Sequence, residues 1–424
     1  MPAAQNPPSR WAAAALAALF ALAGFALVMF ATGGDNQRAD ADSMAYLDGA
    51  YFIRAGQGYI GRTFPSSTER APITHWPPGY AAAIAVVSAI TNDEVAAARW
   101  LNALLFALVI MPLGHLVWHA SKSLGAMALA CGLYLFFWPF IKVSVFIWSE
   151  PMFLASTCYA LLGVWEYLRK GGRRNLALAT AAAAMASMTR YAGVAVIAAL
   201  GACLLMATGS WPRRVGRAAL VCGAAALPAL LWALRNMAVG GTATNRTLGF
   251  DLPDVKLANA SRTVLNWFIP GPWNLPQPAQ MLLFASLCAL LGWGLVRWLR
   301  GPAQAGDKPD ETRLLVLCCA IFAGVYGAML VLAVTFVDRS IPMTDRILCP
   351  FLLLAICAAG ASLGRVLREG KLALRAVVFS IALVFFAANV ARGVWQIGQL
   401  KARTESNDEL LVRRELWDGE KGLR

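Results

Sequence analysis

The sequence predicts an all-α protein that crosses a membrane many times. Hydrophobic residues make up 59% of the 424 residues and charged residues only 14%, whereas soluble domains are about 45–50% apolar and about 25% charged. A soluble fold of this length has no room to bury so much apolar side chain, but lipid can solvate it. The apolar residues also fall into separate runs near the length of about 20 residues that a transmembrane helix needs.

Eleven apolar runs are predicted to be transmembrane helices, because backbone polar groups cannot stay unpaired in hydrocarbon. They cover residues 11–31, 98–118, 124–141, 152–168, 175–189, 191–208, 216–234, 280–298, 314–336, 347–364 and 373–391. The first run follows Arg10, is long for a signal-peptide core and lacks a convincing cleavage site. We therefore interpret it as a retained first span.

Clusters of basic residues orient these helices. They lie at residues 169–174, 213–217, 297–300 and 365–375. All four face the cytoplasm, as the positive-inside rule expects, only if the N-terminus is inside and the short apolar run at residues 79–90 does not cross. We therefore predict that this run is a periplasmic helix on the membrane surface, and that the C-terminus lies in the periplasm. The expected location is the cytoplasmic (inner) membrane of a bacterium.

The transmembrane module is predicted to cover residues 1–391, with a short polar periplasmic tail at residues 392–424. Two large outer loops interrupt the module, at about residues 33–97 and 235–280. Most acidic residues fall on this predicted outer side. An anchor alone would not need them, so their distribution indicates a functional site at the outer face.

Charge and cysteine usage exclude several other classes. The net charge is +14, but the basic residues lie between apolar runs, where they orient helices rather than bind nucleic acid. The nine cysteines lie in or beside apolar runs and form no CxxC pair, so we interpret them as small buried apolar residues. The three histidines are scattered, and the sequence is predicted to hold no zinc motif.

A helix is predicted directly after the first span. It begins at the segment Asp40-Ala41-Asp42, and Asp42 and Tyr46 share one helical face because they are four residues apart. Gly56 and Gly58 are expected to end this helix. The simpler interpretation of Asp40 or Asp42 is a helix N-cap.

Other polar motifs also fall at the predicted outer ends of helices. His75-Trp76-Pro77-Pro78-Gly79-Tyr80 reads as an extended segment that begins a helix, since proline suits a first helical turn. Ser149-Glu150-Pro151 is a second such helix start.

Four cations lie at or near this face: Lys142, Arg190, Arg235 and Arg346. One arginine at a helix end usually reaches toward lipid phosphate. Several cations and carboxylates on one membrane face instead indicate function, because charges near the bilayer are costly.

Seven motifs in this order resemble the integral-membrane glycosyltransferases of the GT-C class, which include bacterial lipid A aminoarabinose transferases and protein O-mannosyltransferase-like families. The motifs are Asp42–Tyr46, Gly56–Tyr59, Pro77–Tyr80, Ser149–Pro151, Thr189–Tyr191, Arg235-Asn236, and Asp345-Arg346 with Pro350. Each is weak alone, but seven in order are fairly specific. The resemblance covers about residues 11–365. Many relatives end in a soluble periplasmic domain, whereas this sequence ends in a short tail.

The resemblance implies the GT-C fold, with about eleven transmembrane helices and amphipathic periplasmic helices in the first outer loop. It implies a hexosyl- or pentosyltransferase that takes a sugar from a polyprenyl-phosphate donor and inverts the anomeric carbon. The implied acceptor is a lipid, a glycan or a protein outside the cytoplasm, and nucleic acid is not a partner.

The resemblance also implies roles for residues. Asp42 is the predicted catalytic carboxylate, which accepts the proton of the attacking hydroxyl; Asp40 is the alternative or a helper, and Glu150 orients the acceptor or shares the role. Arginines clamp phosphate oxygens and stabilise the charge that develops on them. The predicted donor phosphate ligands are Arg190, Arg235 and Arg346, with Lys142 behind them, and the predicted lining of the sugar or acceptor cleft is Tyr46, Tyr59, His75 and Tyr80. The Asp40-Ala41-Asp42 spacing is one that some glycosyltransferases use to bind a divalent cation, so whether this protein binds Mg²⁺ or Mn²⁺ stays open.

Two alternatives belong to other functional classes: a transporter or flippase of lipid-linked glycans, and a polymerase or ligase that moves whole glycans. Transporters usually show internal repeats and charges at the bilayer midplane. Here the ionisable groups gather at one face and we detect no repeat, which favours a transferase.

Overall fold

A computed structural model describes residues 10–33, 37–62, 69–246, 248–250, 254–268, 275–300, 310–337 and 341–402. Within these residues the chain forms fifteen α-helices, a short 3₁₀ turn at Tyr191–Gly193 and one two-stranded hairpin. The helices are α1 (Arg10–Ala31), α2 (Ala41–Arg54), α3 (Gly79–Thr91), α4 (Glu94–Ser121), α5 (Leu124–Phe136), α6 (Trp138–Val145), α7 (Glu150–Lys170), α8 (Arg173–Thr189), α9 (Val194–Leu204), α10 (Trp211–Gly240), α11 (Asp254–Phe268), α12 (Gln277–Arg300), α13 (Glu311–Phe336), α14 (Asp345–Glu369) and α15 (Leu372–Ala402).

The predicted multi-pass α-helical membrane protein is confirmed. Among the described residues, α1, α4, α10, α13, α14 and α15 are long and apolar enough to cross a membrane, and the pair α5 and α6, bent by 47°, adds a seventh candidate. Two other predicted spans form shorter helices: α8 has 17 residues and α9 has 11. The number of eleven spans therefore stays a prediction.

Helix α4 lies at the centre of the bundle, where it contacts α1, α3, α5, α7 and α14. Small residues allow the helices to approach closely. A Cβ atom on Gly24 of α1 would lie 2.9 Å from the side chain of Ile110 on α4, and one on Gly163 of α7 would lie 2.6 Å from the backbone nitrogen of Ala179 on α8. These contacts hold α1 close against α4 and α7 close against α8.

The segment predicted to be the first outer loop folds into helix α2, a hairpin and helix α3. Asp40 caps α2 as predicted, because its side chain accepts a hydrogen bond from the backbone of Ser43 at 3.0 Å. After α2 the chain turns at Gly56, which has a φ of +73°. Strand β1 (Ile60–Arg62) then pairs antiparallel with β2 (Arg70–Pro72).

Helix α3, Gly79–Thr91, matches the short apolar run that was predicted to lie outside the hydrocarbon core. It has 13 residues, about 20 Å at 1.5 Å per residue, which is shorter than the hydrocarbon core of about 30 Å. It packs against α2, α4 and α8, and so joins the first outer loop to the bundle.

Backbone hydrogen bonds tie the start of this loop to the segment before α7. The amide of Arg38 donates to the carbonyl of Val145 at 3.1 Å, and the amide of Ile147 donates to the carbonyl of Arg38 at 3.0 Å. Arg38 precedes α2 and Ile147 precedes α7. These bonds therefore hold the beginnings of the two helices side by side.

At the other end of the chain, helix α15 continues to Ala402, past the predicted module boundary at residue 391. Residues 392–402 of the predicted polar tail are therefore helical. The remainder of that tail lies outside the described residues.

Candidate active site

One buried carboxylate joins three elements beneath the outer loops. Glu150 is the first residue of α7, and its side chain is 1% exposed. Its Oε1 accepts hydrogen bonds from Arg190, which follows α8, and from Arg346, the second residue of α14. Pro151 suits the first turn of α7, which places Glu150 at the helix end where the two arginines meet.

Arg346 also faces both carboxylates of the first outer loop. Its guanidinium lies 2.5 Å from the Asp42 carboxylate and 3.7 Å from that of Asp40. It also lies over the ring of Trp148, 4.4 Å from the centroid, in cation–π geometry. The Trp148 indole in turn donates to Asp40 at 2.9 Å. Residues predicted separately from three motifs therefore form one network.

Tyr46 joins this network from α2. Its hydroxyl shares a hydrogen bond of 3.0 Å with Ser149, to which Arg190 donates at 3.2 Å. The ring packs edge-on against Tyr80, with centroids 5.0 Å apart. Burial raises the pKa of Tyr46, so the phenol stays neutral at physiological pH.

A cleft of about 470 Å³ opens above this network. Its polar lining includes Asp42, Tyr46, Arg190, Arg346, His75 and Thr189, and Trp76, Tyr191 and apolar residues of α13 form further parts of the wall. Five of the predicted site residues therefore share one cavity. The arrangement provides a carboxylate, guanidinium groups and aromatic faces, which suits an anionic ligand.

Arg246 is a cleft residue that the sequence analysis missed. It belongs to the second outer loop, and its guanidinium lies 5.6 Å from the ring centroid of Tyr191 while it lines the cleft. The only available signal was its position as the one arginine in residues 236–261. No helix pattern or motif distinguished it.

Two predicted phosphate ligands do not line the cleft. Arg235 lies inside α10, and it donates to the backbone carbonyls of Ile73 at 2.9 Å and Tyr59 at 3.3 Å. It therefore supports the loop that leads into the cleft. Lys142 lies in α6 and is absent from the described cleft lining.

The two other predicted tyrosines are also behind the cleft wall. Tyr59 is buried, and its hydroxyl donates to the carbonyl of Pro77 at 3.4 Å. Tyr80 is fully buried, and its hydroxyl donates to Asn102 of α4 at 2.8 Å. Tyr59 therefore holds the segment just after His75 and Trp76, Tyr80 ties α3 to α4, and neither lines the described cavity.

An apolar groove of about 540 Å³ adjoins the cleft. Residues of α11, α12, α13 and α14 line it, and its walls are almost wholly apolar. Leu330 of α13 lines both the groove and the cleft. A molecule with a polar head and a long apolar tail therefore fits the two cavities together.

The arrangement leaves the predicted divalent ion at Asp40 and Asp42 untested. A divalent ion between the two carboxylates would take the place of the Arg346 guanidinium, which faces both. Among the described residues, the one group of three His, Cys, Asp or Glu side chains with metal-ligand spacing lies elsewhere. The dependence on Mg²⁺ or Mn²⁺ stays a prediction.

Neither a protein-family model nor a curated protein matches the sequence, but solved structures share its fold. The oligosaccharyltransferase of Archaeoglobus fulgidus, tethered to an acceptor peptide with the NVT sequon, has a TM-score of 0.53 at 13% identity over 92% of this chain. The same archaeal enzyme, AglB, in complex with an inhibitory peptide and a dolichol-phosphate has a TM-score of 0.53 at 12% identity. The chain has the GT-C fold.

The alignment covers only part of the AglB chains. The chain spans 55% and 56% of the two AglB chains. ArnT from Cupriavidus metallidurans, in the apo state and bound to undecaprenyl phosphate, aligns with a TM-score of 0.40 at 15% identity over 88% of this chain and 77% of its own. The predicted GT-C resemblance is confirmed at the level of the fold.

Proposed function

We propose that this protein is a GT-C glycosyltransferase that moves a sugar from a polyprenyl-phosphate donor to an acceptor at the periplasmic face of the bacterial cytoplasmic membrane. The observation that carries the proposal is the cleft in which Asp42, Arg190 and Arg346 meet beside an apolar groove. In this proposal the N-terminus is cytoplasmic and the C-terminus is periplasmic. The AglB structure that contains a dolichol-phosphate supports a lipid-phosphate ligand for this fold.

Each of the two cavities binds a different part of the donor. The apolar groove takes the polyprenyl tail, and the cleft takes the phosphate and its sugar. Near the cleft three carboxylates (Asp40, Asp42 and Glu150) face the guanidinium groups of Arg190 and Arg346. The donor phosphate is a further anion, so it competes with a carboxylate for these groups, and Asp42, 28% exposed, yields more readily than Glu150, 1% exposed.

This competition gives Asp42 its role. When the phosphate takes the Arg346 guanidinium, the oxygens of Asp42 become free to accept the proton of the attacking hydroxyl. The bond from the anomeric carbon to the phosphate oxygen then breaks, and its electron pair leaves with the phosphate. Attack from the side opposite the phosphate inverts the anomeric carbon.

The arginines act on the leaving phosphate. Negative charge grows on its oxygens as the bond breaks, and Arg190 and Arg346 stabilise that charge with charge-assisted hydrogen bonds. Arg246 supplies a further guanidinium in the wall. Because Glu150 is 1% exposed, we assign it to holding both arginines rather than to orienting the acceptor. Asp40 caps α2, and it accepts the hydrogen bond from the Trp148 indole, which keeps that ring beside Arg346.

The wall residues His75, Trp76 and Tyr191 are proposed to contact the sugar or the acceptor. Their aromatic faces suit a hexosyl or pentosyl ring. The acceptor in this proposal is a lipid, a glycan or an exported protein.

The test uses purified protein in detergent with radiolabelled polyprenyl-phosphate sugars, with and without membrane extract as the acceptor source. We expect Asp42→Asn to lower the transfer rate by about 10²-fold or more, since a positioned base contributes about 10²–10⁴-fold. Glu369→Gln is the matched control, because this carboxylate lies at the end of α14 and is 43% exposed. A folded Asp42→Asn protein that transfers at the wild-type rate would rule out Asp42 as the catalytic base.

The same preparation separates the alternatives. A transporter or flippase would move the labelled lipid across proteoliposomes without any acceptor, and Asp42→Asn would leave that movement unchanged. A polymerase or ligase would produce a labelled product that grows by whole glycans, which gel mobility shows. Transfer of one sugar per acceptor supports the proposal.

A further inference from the structure

A second polar cluster lies at the far end of helices α4 and α7. Glu150, beneath the cleft, and Glu166 are 16 residues apart on α7, or about 24 Å at 1.5 Å per residue. At this far end, His115 Nε2 lies 2.7 Å from Glu166 Oε1, and the rings of His115 and His119 have centroids 4.2 Å apart. The cluster is therefore separate from the proposed active site.

The helices explain why these three side chains meet. His115 and His119 are four residues apart on α4, and this spacing places both rings on one helical face. Helix α7 packs against α4 and brings Glu166 to the same face. The sequence analysis took the three histidines to be scattered and predicted no zinc motif; it missed the spacing of His115 and His119, whose third partner lies on another helix.

We propose that His115, His119 and Glu166 form a binding site for a divalent transition-metal ion, with Zn²⁺ the best fit. One ligand atom from each residue lies within 4.8 Å of the other two. Two imidazoles and one carboxylate are a donor set that zinc accepts, with a water molecule in the fourth position. Zinc requires bond lengths of about 2.0–2.2 Å, so the bound ion would replace the 2.7 Å hydrogen bond between His115 Nε2 and Glu166 Oε1.

Two further observations point to a ligand here. Nδ1 of His119 is buried and has no hydrogen-bond partner in the described part of the protein, although a buried polar atom without a partner is costly. A cavity of about 390 Å³ lies beside the rings, and its lining includes His115, His119, Trp11 and Met111. This cavity provides the entry path and the space for a water ligand.

The surrounding charges select the kind of metal. Glu166 also pairs with Arg169 at 2.9 Å and Lys170 at 2.8 Å, and Glu311 pairs with Arg169 and Lys122. Three cations therefore face two carboxylates. These ion pairs already engage the carboxylate oxygens, which disfavours Mg²⁺ and Ca²⁺ because they depend on several oxygen ligands, and leaves the imidazoles as the main ligands for an ion that binds nitrogen strongly.

Lys170 competes with the metal ion for the Glu166 carboxylate, and it can be displaced. The Lys170 side chain is 56% exposed, so it can turn into water when the metal takes the Glu166 oxygen. A bound ion would then connect α4 to α7, and metal binding to the folded state alone raises the thermal midpoint.

The experiment uses the full chain in detergent, purified with a tag that contains no histidine, stripped with a chelator and then equilibrated with Zn²⁺. We expect about one zinc ion per chain by elemental analysis, and a higher thermal midpoint with zinc. His119→Gln and Glu166→Gln should each weaken zinc binding by about tenfold or more, since even loss of an outer-shell partner costs about 10–100-fold. The matched control is Glu311→Gln, which removes the neighbouring carboxylate and should bind zinc as the wild type does.

Cobalt distinguishes this site from the cysteines. Substitution with Co²⁺ should give the visible absorption of nitrogen and oxygen ligands, without a thiolate charge-transfer band. Equal zinc affinity in the wild type, His119→Gln and Glu166→Gln would overturn the proposal. A strong thiolate band would overturn it as well, because the ion would then sit on cysteine.

Discussion

Glutamine in place of Glu150 separates the charge of the buried carboxylate from its shape. Only Oε1 of Glu150 accepts hydrogen bonds, from Arg190 and Arg346, and Oε2 has no partner among the described residues. A glutamine can place its carbonyl oxygen at the Oε1 position and keep both bonds. Its amide group then occupies the Oε2 position, so the geometry survives while the negative charge is lost.

The structure gives the size of the effect. A hydrogen bond to a charged acceptor contributes about 1.5–3 kcal/mol, and a neutral one about 0.5–1.5 kcal/mol, so the loss of charge on two bonds lowers the free energy of unfolding by about 2–3 kcal/mol. Glu150→Ala also removes both bonds. It leaves two largely buried guanidinium groups short of a counter-charge, which costs about 3–5 kcal/mol. Water offers little relief, because Arg190 is 18% and Arg346 15% exposed.

The assay is the thermal midpoint of purified protein in detergent, followed by tryptophan fluorescence. We expect the midpoints to fall in the order wild type, Glu150→Gln, Glu150→Ala, with Glu369→Gln at the wild-type value. Adding Arg190→Ala to Glu150→Ala should cost less than the sum of the two single changes, because residues in one ion-pair network are coupled.

Two results would refute the reasoning. A wild-type midpoint for Glu150→Ala would show that this carboxylate does not hold the arginines in place. Equal losses for the glutamine and alanine variants would show that the two hydrogen bonds contribute nothing beyond the charge of Glu150.

Three further predictions concern the cleft and the packing of the bundle. Arg346→Lys keeps the charge but cannot span Asp42 and Glu150, so the radiolabel assay should show a transfer rate about 10²-fold lower; an unchanged rate would contradict the phosphate role. Tyr46→Phe should lower stability by about 1 kcal/mol, measured from the thermal midpoint. It should also leave the pH profile of transfer unchanged between about pH 6 and 9, because burial raises the pKa of Tyr46 and the wild-type phenol is neutral throughout. Gly193→Ala would place a Cβ atom 2.2 Å from a backbone carbon of α8 and should abolish the monodisperse size-exclusion peak, whereas Gly216→Ala, with open space around it, should keep that peak.

Local patterns predicted the parts of the site that belong to one helix. Asp40 caps α2, and the spacing of Asp42 and Tyr46 places both in the cleft. The turn at Pro77-Pro78 and the start at Pro151 fall at the beginnings of α3 and α7. These features depend on residues only a few positions apart, so they can be predicted from the sequence.

The sequence alone could not predict which charged residues pair with each other. Glu150 and Arg346 are 196 residues apart, and only the packing of α7 against α14 brings them together. The same reason explains Arg235, which resembled the other arginines in sequence but bonds to loop carbonyls. A cation at a helix end has the same local pattern whether it contacts lipid, backbone or ligand.

The limits of the spans were also set by packing. Helix α9 has 11 residues and most of its side chains are buried against other helices, so its apolar run reflects protein contacts as much as lipid. Helix α15 passes residue 391 because several of its later residues, including Gly393 and Ile397, are buried against the protein. Hydropathy alone does not distinguish these two environments.

The 196 residues between Glu150 and Arg346 also set an order of events during synthesis. At about 5–20 residues per second, the ribosome needs about 10–40 s to extend the chain from the first partner to the second. During this interval Glu150 has Arg190, 40 residues downstream, but Asp42 still lacks its guanidinium. A nascent chain that stops before α14 therefore carries Asp40 and Asp42 without the guanidinium that faces them in the folded protein. Arg346 is the last of the cleft arginines to be made, so the full set of cleft charges requires synthesis to reach α14.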